Sequence, residues 1–318
     1  MKMNKVQVDL SEVSIEKNKA LRMYKQGYRF VGKHSAIKVC EWCKRSIKNE
    51  EFCYKQKFYG IHSNQCIQMS PAVFFCNFNC RHCWRSLNFT LPSNDFSWDP
   101  PEKIFYGCIE EFKKYLNGFF GSKKANKTKL KEAFEPKHFA ISLSGEPTIY
   151  PYLPELINLI KEKGMTAFLV TNGTHPEMLK KLIKKAEPTN LYITLAAPDV
   201  ETFKKECCPI IRDGWEKLNE GLELINRFSC NTVVRLTLSK KTNMIYPEKY
   251  SLLIEKSKPK YVEVKAYMAV GGARKKMGID AMPTHKEIIE FAKAIEKNSK
   301  YKIINEKEDS RVVLMREG

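Results

Sequence analysis

Residues 76–83 read Cys76-Asn77-Phe78-Asn79-Cys80-Arg81-His82-Cys83 and place three thiols in a C-x3-C-x2-C pattern. The mostly apolar run from Met69 to Phe75 leads into this stretch and predicts a buried β-strand. Asparagine favours loops, so Asn77 and Asn79 indicate a loop after that strand. A cubane iron–sulfur cluster takes four ligands, usually all cysteine. Three thiolates on one short loop therefore indicate a cluster with one iron left open for a cofactor or substrate.

Two other interpretations of the three cysteines stay open at this point. Three thiolates and one further ligand also bind zinc. Alternatively, the cysteines are ordinary buried or surface residues whose spacing carries no chemistry. The preceding strand and the aromatic His82 between the last two thiols favour the iron–sulfur cluster.

The length and composition predict a cytosolic protein built from one large domain or two small ones. The chain has 318 residues, a size common among α/β barrels. It has no run of about 18 apolar residues, and residues 1–25 lack the apolar core of a signal peptide. Eleven cysteines in a cytosolic chain are expected to be mostly reduced, so clusters of them favour metal binding over disulfides.

The charge of the chain predicts a polyanionic partner, nucleic acid first. Lysine and arginine number 55 against 36 acidic residues, which gives a formal charge of +19. From Lys17 to Lys57 there are twelve basic residues and three acids, and from Lys113 to Lys131 seven lysines and no acid. Aromatic residues interrupt the second run, and cations mixed with flat rings suit unstacked RNA bases. A generally basic surface, with residues 113–131 as a solvated loop, is the alternative.

Four more cysteines precede the loop at residues 76–83. Cys40, Cys53 and Cys66 lie thirteen residues apart, and Cys43 makes a C-x2-C pair with Cys40. A zinc ribbon needs a second such pair about 15–20 residues further on, and the sequence lacks one. The upstream thiols therefore indicate either a second cluster or ordinary buried cysteines.

Two lysines, Lys55 and Lys57, follow Cys53 closely. A lysine near a buried cationic site has a lowered pKa and can attack a carbonyl group as an amine. A phosphate contact or a surface position is the simpler interpretation of both residues.

Strands and helices alternate from residue 137 onward. Strands are predicted over residues 137–143, 166–171, 191–195, 231–238 and 261–266, and helices over residues 152–161, 176–186, 214–228, 246–256 and 284–297. With the strand before Cys76 this makes six β-α units, and such alternation predicts parallel strands. A closed barrel of this type has eight units. We therefore predict an α/β fold with an incomplete (β/α)6 TIM-like barrel, and a doubly wound open sheet is the alternative.

Polar side chains and glycines follow the predicted strands, where barrel enzymes place their active sites. The second strand ends in Ser142-Leu143-Ser144-Gly145-Glu146-Pro147-Thr148, and the third in Thr171-Asn172-Gly173. The sixth strand carries Glu263 and Lys265 among apolar neighbours. A glycine lets a ligand approach the backbone, and a glutamate can bind an amine or a ribose hydroxyl. The sequence has no Walker P-loop and no G-x-G-x-x-G, which argues against nucleotide hydrolysis and dinucleotide binding.

Together these motifs resemble the radical S-adenosylmethionine enzymes over roughly residues 69–270. The resemblance implies that Cys76, Cys80 and Cys83 hold a [4Fe-4S] cluster whose open iron binds S-adenosylmethionine. In that family, one-electron reduction cleaves the sulfonium to methionine and a 5′-deoxyadenosyl radical. Ser144 replaces the first glycine of the family's usual G-G-E. The implied cofactor contacts are His82 near the adenine, Ser144, Gly145 and Glu146 near the methionyl amino group, and Thr171 and Asn172 near the ribose.

A closer resemblance, to the 4-demethylwyosine synthases of the wybutosine pathway, spans most of the chain. The phrases CYKQKFYG, CIQMSP and FFCNFNCRHCWR carry it. It implies a second [4Fe-4S] cluster on Cys40, Cys53 and Cys66, with pyruvate at its open iron and Cys43 as an extra thiol. The implied reaction joins a two-carbon piece of pyruvate to N1-methylguanosine at position 37 of tRNA-Phe, which makes 4-demethylwyosine. Lys55 is the candidate for a Schiff base with pyruvate.

The same resemblance sets expectations for partners. We expect the anticodon stem-loop of tRNA-Phe to be held by Lys113–Lys131 and by the basic N-terminal segment. Some relatives carry a flavodoxin-like domain, for which this chain has no room, so a separate electron donor is expected. We expect a monomer with no membrane contact. The alternatives are a radical enzyme of another class, such as an activase or peptide modifier, and a non-catalytic metal-containing RNA-binding protein.

Three regions are predicted along the chain. Residues 1–68 form a basic extension, helical up to residue 38, that carries the second-cluster cysteines. Residues 69–300 form the partial barrel, and residues 301–318 form a tail. The tail contains two strand-like runs whose role the sequence does not assign.

Overall fold

Parallel strands form the centre of the structure, a computed structural model that describes residues 11–85 and 90–318. The strands are β1 (Arg29–Val31), β2 (Ser35–Ile37), β3 (Cys66–Ser70), β4 (His138–Ile141), β5 (Thr166–Thr171), β6 (Asn190–Thr194), β7 (Asn231–Leu238), β8 (Tyr261–Ala266), β9 (Tyr301–Lys307) and β10 (Val312–Glu317). Neighbouring strands from β3 to β8 pair in parallel.

Among the described residues, ten strands make one sheet in the order β1-β2-β3-β4-β5-β6-β7-β8-β10-β9. The hairpin of β1 and β2 adds to β3, and the hairpin of β9 and β10 adds to β8, both antiparallel. The order is linear and has β1 and β9 at its ends, so the sheet is an incomplete barrel. The predicted fold class is confirmed.

Helices connect the parallel strands and cover the outer face of the sheet. They are α1 (Lys17–Lys25), α2 (Glu41–Ile47), α3 (Tyr54–Tyr59), α4 (Pro101–Leu116), α5 (Lys127–Ala133), α6 (Leu153–Glu162), α7 (Pro176–Lys185), α8 (Val200–Cys207), α9 (Gly214–Leu224), α10 (Pro247–Ser257), α11 (Gly271–Met277) and α12 (His285–Lys297). In α7, Met178, Leu179 and Leu182 are buried while Lys181 and Lys184 are exposed, so one apolar stripe faces the sheet.

The short helix α3 closes the amino-terminal end of the barrel. The ring of Tyr59 lies 6.2 Å from the ring of Tyr192 on β6 and 5.8 Å from that of Tyr261 on β8. Ile61, just after this helix, is buried in the same cluster with Phe168 on β5. This aromatic packing stabilises the position of α3 across the amino-terminal end of the barrel.

The predicted strand before Cys76 is wrong in its position. The strand is β3, Cys66–Ser70, and Pro71 follows it. Proline has no amide N–H and ends the ladder of hydrogen bonds. Val73 and Phe74 are nevertheless buried, because they turn into a cluster with Met23 and Tyr28 from the start of the chain. Their apolar character thus reflects burial under the N-terminal segment.

The predicted helix over residues 1–38 is also wrong for the part that the structure describes. There the only helix is α1, and the β1–β2 hairpin follows it. Gly27 and Gly32 both have positive φ, of 94° and 58°, which ends the helix and forms the turn of the hairpin. A Cβ on Gly32 would lie 2.2 Å from Asp99 Oδ2, so the turn requires glycine.

The two strand-like runs at the C-terminus are β9 and β10, so the tail is part of the sheet. Val312 pairs with Lys265 and Leu314 pairs with Glu263 on β8. The predicted division between residues 68 and 69 falls inside β3.

The helices of the described residues lack the length and apolar character of membrane spans. Across residues 11–85 and 90–318, every helix is too short or too polar to cross a bilayer.

Candidate active site

A cavity of about 440 Å³ occupies the barrel interior above α3. It collects almost all the residues that the sequence predicts for the site: Cys40, Cys53, Lys55, Cys66, Cys76, Cys80, His82, Cys83, Gly145, Glu146, Thr171 and Asn172. The two cysteine trios, Cys40/Cys53/Cys66 and Cys76/Cys80/Cys83, therefore line one cavity. A volume of this size suits small ligands held between apolar walls and a few polar groups.

The loop with Cys76, Cys80 and Cys83 follows β3 and is held by the segment after α8. Asn79 N–H donates to the Cys208 carbonyl over 3.1 Å, and Ile210 N–H donates to the Asn77 carbonyl over 2.9 Å. A third bond, of 2.8 Å, runs from Arg81 N–H to the carbonyl of Glu206. These backbone bonds fix the loop from one side, so the thiols have defined positions before any metal binds.

The side chain of Glu206 also orients His82. His82 Nδ1 lies 2.8 Å from Glu206 Oε1, and Glu206 is fully buried. The other carboxylate oxygen, Oε2, has no hydrogen-bond partner among the described residues. The sequence pattern does not identify Glu206, because the contact joins residues 124 positions apart.

Glu146 links the strand-end loops to each other. Its Oε1 accepts bonds of 2.6 Å from the hydroxyls of Thr148 and Thr171, and its Oε2 accepts one of 2.8 Å from Asn172 N–H. Asn172 in turn donates from Nδ2 to Asn77 Oδ1 over 2.6 Å. The two strand ends are thereby tied to the cysteine loop, as expected if all three contact one cofactor.

Gly145 lines the cavity beside Glu146, and Ser144 lies behind it. Gly145 has a φ of 69°, and a Cβ there would lie 1.8 Å from the Ala72 carbonyl oxygen. Ser144, 1% exposed, does not line the cavity; its hydroxyl lies 3.3 Å from that of Tyr28. Its predicted cofactor contact stays a prediction.

The second trio lies at the opposite, amino-terminal end of the cavity. Cys40 follows β2, Cys53 precedes α3, and Cys66 is the first residue of β3. Burial raises the pKa of Cys40 to about 11, and burial and the neighbouring Cys40 raise that of Cys66 further. Thiols in this environment stay protonated unless a metal binds, because the metal ligand is the thiolate.

The donor sets fit clusters better than single ions. Burial raises the pKa of Cys76. Burial also acts to raise the pKa of Cys83, but the charges of Arg85, His82 and Lys276 and a backbone hydrogen bond from Arg85 together outweigh it and lower the pKa. No three histidine, cysteine or acidic side chains among the described residues converge closely enough to hold one metal ion. Ligands of a cluster bind different irons and so need not converge on one point. Cys43 points away from the cavity, with its thiol 3.7 Å from the Asn64 carbonyl.

Lys55 lies in the first turn of α3, beside the second trio. Its ammonium is 4.6 Å from the ring centroid of Tyr192 and 5.0 Å from that of Phe168. The residue is 8% exposed, and it makes no ion pair with any residue in the described ranges. Burial lowers the pKa of Lys55. The geometry brings a buried amine to the cavity wall next to Cys53.

Comparisons with known proteins agree with this geometry. The chain matches a family model for the radical SAM superfamily over residues 71–253 and one for wyosine base formation over residues 256–317. It is 49% identical over 294 residues to the S-adenosyl-L-methionine-dependent tRNA 4-demethylwyosine synthase of Pyrococcus abyssi, covering 92% of this chain and 86% of that protein. The chain belongs to the radical SAM tRNA 4-demethylwyosine synthase family. The predicted family and enzyme class are confirmed.

Other members of the 4-demethylwyosine synthase family show the same relationship. The synthase of Methanocaldococcus jannaschii is 38% identical over 297 residues, with 92% of this chain and 93% of that protein covered. A solved structure of TYW1 with a lysine–pyruvate adduct bound superposes with a TM-score of 0.87 at 36% identity, covering 96% and 97% of the two chains. A radical SAM methyltransferase from Sphaerobacter thermophilus, 10% identical with a TM-score of 0.50, shares the fold alone.

Two further charged residues line the site in this synthase, Arg235 on β7 and Lys265 on β8. Arg235 Nε donates to Glu263 Oε2 over 2.8 Å, and the hydroxyls of Tyr54 and Tyr59 donate to the same carboxylate. Burial, with a smaller effect of the charge of Arg235, lowers the pKa of Lys265 to about 8. The available sequence signal is charged residues inside otherwise apolar strands, Arg235 in β7 and Glu263 and Lys265 in β8, since charged side chains are rarely buried unless they are paired.

Proposed function

We propose that this protein condenses N1-methylguanosine at position 37 of tRNA-Phe with pyruvate to form 4-demethylwyosine. The observation that carries the proposal is the single cavity lined by two cysteine trios, the strand-end loops and a buried lysine. Family membership supports tRNA modification, and the named product of the relatives supports the reaction. The enclosed interior would keep water from reactive intermediates.

We assign one end of the cavity to S-adenosylmethionine. Cys76, Cys80 and Cys83 would hold the first [4Fe-4S] cluster, while Gly145, Glu146, Thr171 and Asn172 would bind the cofactor, with Ser144 as a further predicted contact behind Gly145. His82, oriented by Glu206, would pack against the adenine. When bound, the cluster and cofactor supply the one-electron chemistry that starts at the methyl group of the RNA base.

We assign the other end to pyruvate and a second [4Fe-4S] cluster on Cys40, Cys53 and Cys66. A 36%-identical structure contains a lysine–pyruvate adduct, which supports the prediction that Lys55 reacts with pyruvate. The neutral amine of Lys55 would attack the C2 carbonyl carbon, and water would leave as the imine forms. The predicted site roles are proposals that the tests below address.

RNA would approach the cavity at the carboxyl ends of the strands. Met268 and Val270 line the cavity there and are 37% and 50% exposed. The exposed Arg274 and Lys275 follow on α11. Lys276 Nζ donates to the Cys80 carbonyl over 3.1 Å, so this basic helix sits directly on the cluster loop.

The predicted RNA contact at Lys113–Lys131 lies at the other end of the barrel. Asn64 Nδ2 donates to the Lys129 carbonyl over 3.0 Å, and Asn64 precedes the first residue of β3. We retain this segment as a proposed second contact for a long RNA. Residues 1–10 of the basic N-terminal segment lie outside the described residues. A separate electron donor, a monomeric state and a cytosolic location stay predictions.

The test of the proposed function is anaerobic turnover followed by nucleoside analysis. The reconstituted protein is incubated with S-adenosylmethionine, dithionite, pyruvate and tRNA bearing N1-methylguanosine. Mass spectrometry of the digested tRNA should show 4-demethylwyosine only when pyruvate is present. Cofactor cleavage without any change to the tRNA would favour the alternative radical enzyme, and zinc without iron would favour the non-catalytic RNA-binding protein.

A further inference from the structure

Lys265 is a second lysine in the wall of the cavity, and the reaction proposed above gives it no role. It is partly buried and lines the cavity at the level of Arg235 and Thr237 on the neighbouring strand. Among residues 11–85 and 90–318, its ammonium makes one hydrogen bond, of 2.6 Å, to the Ser310 carbonyl, and no ion pair. A lysine removed from bulk water without an acidic partner is destabilising unless a ligand supplies the negative charge.

The acidic groups near Lys265 already have partners. Glu263, two residues earlier on β8, accepts hydrogen bonds from Arg235 and from two tyrosine hydroxyls. Glu146, which also lines the cavity, is bonded by Thr148, Thr171 and Asn172. Within residues 11–85 and 90–318, the positive charge of Lys265 is therefore left without an acidic partner in direct contact.

The position of Lys265 is fixed by the C-terminal hairpin. Lys265 pairs with Val312 on β10, and Ser310, which accepts its hydrogen bond, lies in the turn before β10 and is buried. The ring of Tyr54 lies 5.2 Å from the Lys265 ammonium. An ammonium has three N–H donors, and one of them is used by Ser310. The others remain for a ligand in the cavity.

We propose that Lys265 binds the carboxylate of the 2-oxo acid whose carbonyl carbon reacts with Lys55. The proposal rests on the function proposed above. Both lysines line the same cavity, and Lys55 projects from α3 while Lys265 projects from β8. A 2-oxo acid carries its carbonyl and carboxylate on adjacent carbons, so two lysines that line the same cavity can engage the two groups at once. The ion pair with the substrate carboxylate would neutralise the positive charge of the Lys265 ammonium.

The division of roles between the two lysines follows from their contacts. The carbonyl of Ser310 accepts a hydrogen bond from the Lys265 ammonium and so holds it at one place in the cavity wall. The Lys55 ammonium lies over the rings of Phe168 and Tyr192 and makes no hydrogen bond among the described residues. An ammonium held in place suits carboxylate binding, and an amine without a hydrogen bond is free to approach a carbonyl carbon.

Reductive trapping separates carboxylate binding from imine formation. The anaerobic holoenzyme is incubated with cyanoborohydride and either pyruvate or hydroxyacetone, a ketone without a carboxylate, and the labelled lysine is identified by peptide mass spectrometry. In Lys265→Met, half-maximal labelling of Lys55 should require about tenfold more pyruvate or higher, as expected for loss of a charged hydrogen bond. Labelling by hydroxyacetone should not change. Lys265→Arg keeps a positive charge, so its half-maximal labelling should require less pyruvate than that of Lys265→Met.

The controls distinguish this inference from the proposed function. Lys163→Met removes an exposed lysine at the end of α6 and should label like the native protein. Iron content and unfolding temperature show whether Lys265→Met is folded. The carboxylate role would be overturned if folded Lys265→Met needed no more pyruvate than the native protein for half-maximal labelling of Lys55. It would also be overturned if the variant needed proportionally more of both pyruvate and hydroxyacetone. Labelling at Lys265, or no labelling of Lys55 in the native protein, would contradict the proposed role of Lys55 and this inference with it.

Discussion

At the scale of single residues, Lys55 carries the most specific chemistry of the site. Lys55→Met should lower product formation by at least about a hundredfold and abolish the trapped pyruvate adduct, because no amine remains at that position. Cofactor binding should persist, since Lys55 lies at the other end of the cavity. Product analysis and peptide mass spectrometry measure both effects.

Lys57 offers a matched control for that variant. It lies on the same short helix, but its ammonium is exposed and donates to the Glu306 carbonyl over 2.7 Å. Lys57→Met should therefore keep nearly full activity. Equal losses in the two variants would show that α3 as a whole, and not the amine of Lys55, is what the reaction needs.

Gly145 is the residue whose replacement should be least tolerated for steric reasons. In Gly145→Ala the new Cβ would meet the carbonyl oxygens of Ala72 and Phe75, and the φ of 69° disfavours any side chain. We expect a loss of about 2–4 kcal/mol in the free energy of unfolding. Urea denaturation of the apoprotein measures it.

Gly118 provides the comparison for Gly145. It is exposed, and a Cβ there would meet nothing within 4 Å. Gly118→Ala should change the free energy of unfolding by less than about 1 kcal/mol. Similar values for the two variants would argue against a tight contact between residues 72–75 and Gly145.

The residues of the site differ in how far the sequence identifies them. The spacing of Cys76, Cys80 and Cys83 is a local pattern that predicts a metal site by itself. The trio Cys40, Cys53 and Cys66 and the roles of the strand-end loops are predicted only through the family resemblance. The pairing of Arg235 with Glu263 joins neighbouring strands, and Glu206 reaches His82 across 124 positions. Such contacts depend on the register of the sheet and on loop packing, which no local pattern specifies.

At the scale of elements, α11 is the helix best placed to meet RNA at the cavity mouth. The double variant Arg274→Glu/Lys275→Glu should weaken tRNA binding about tenfold or more and reduce the slope of log affinity against log salt by roughly one to two. Both side chains are exposed, so the fold should not suffer. Binding titrations at several salt concentrations measure the slope.

The same charge change in the other basic segment tests the direction of approach. Lys123→Glu/Lys124→Glu alters two exposed lysines at the far end of the barrel. It should weaken binding less than the α11 variant and should leave turnover at saturating tRNA unchanged. Unaltered affinity in the α11 variant would contradict RNA entry at this mouth.

Among the elements, the parallel strands are predicted well and the N-terminal ones are not. Residues 166–171, 231–238 and 261–266 are predicted as strands with the bounds that β5, β7 and β8 have. These strands are apolar runs bounded by polar loops, a signal that needs no tertiary information. Val73 and Phe74 resemble part of a strand because they are buried against Met23 and Tyr28 of the N-terminal segment. The β1–β2 hairpin depends on glycines in turns, and hydrophobic periodicity does not reveal turn geometry.

At the scale of the whole molecule, each cysteine trio should hold its own cluster, and one cluster should be removable without loss of the other. The reconstituted protein should contain about eight irons per chain. The triple variant Cys40→Ala/Cys53→Ala/Cys66→Ala should contain about four and should still cleave S-adenosylmethionine, because the first trio is untouched. Iron and sulfide assays with product analysis measure these changes.

Cys43→Ala is the control for the second cluster. Cys43 is buried beside that trio but points to Asn64 and not into the cavity. Its removal should leave the iron content unchanged. Iron loss in Cys43→Ala equal to that of Cys53→Ala would assign Cys43 to the second cluster.

The barrel places the proposed S-adenosylmethionine site and the proposed pyruvate site in one cavity. This arrangement is best tested by following the carbon atoms of pyruvate into the product. The native protein is incubated with tRNA that contains N1-methylguanosine and with one of two labelled pyruvates. The first carries ¹³C at C2 and C3, and the second carries ¹³C at C1. The mass of the product nucleoside is measured by mass spectrometry. We predict that both labelled carbons appear in the product from the first substrate and none from the second. A product that retains the C1 label, or one that contains no pyruvate carbon, would contradict condensation at this site.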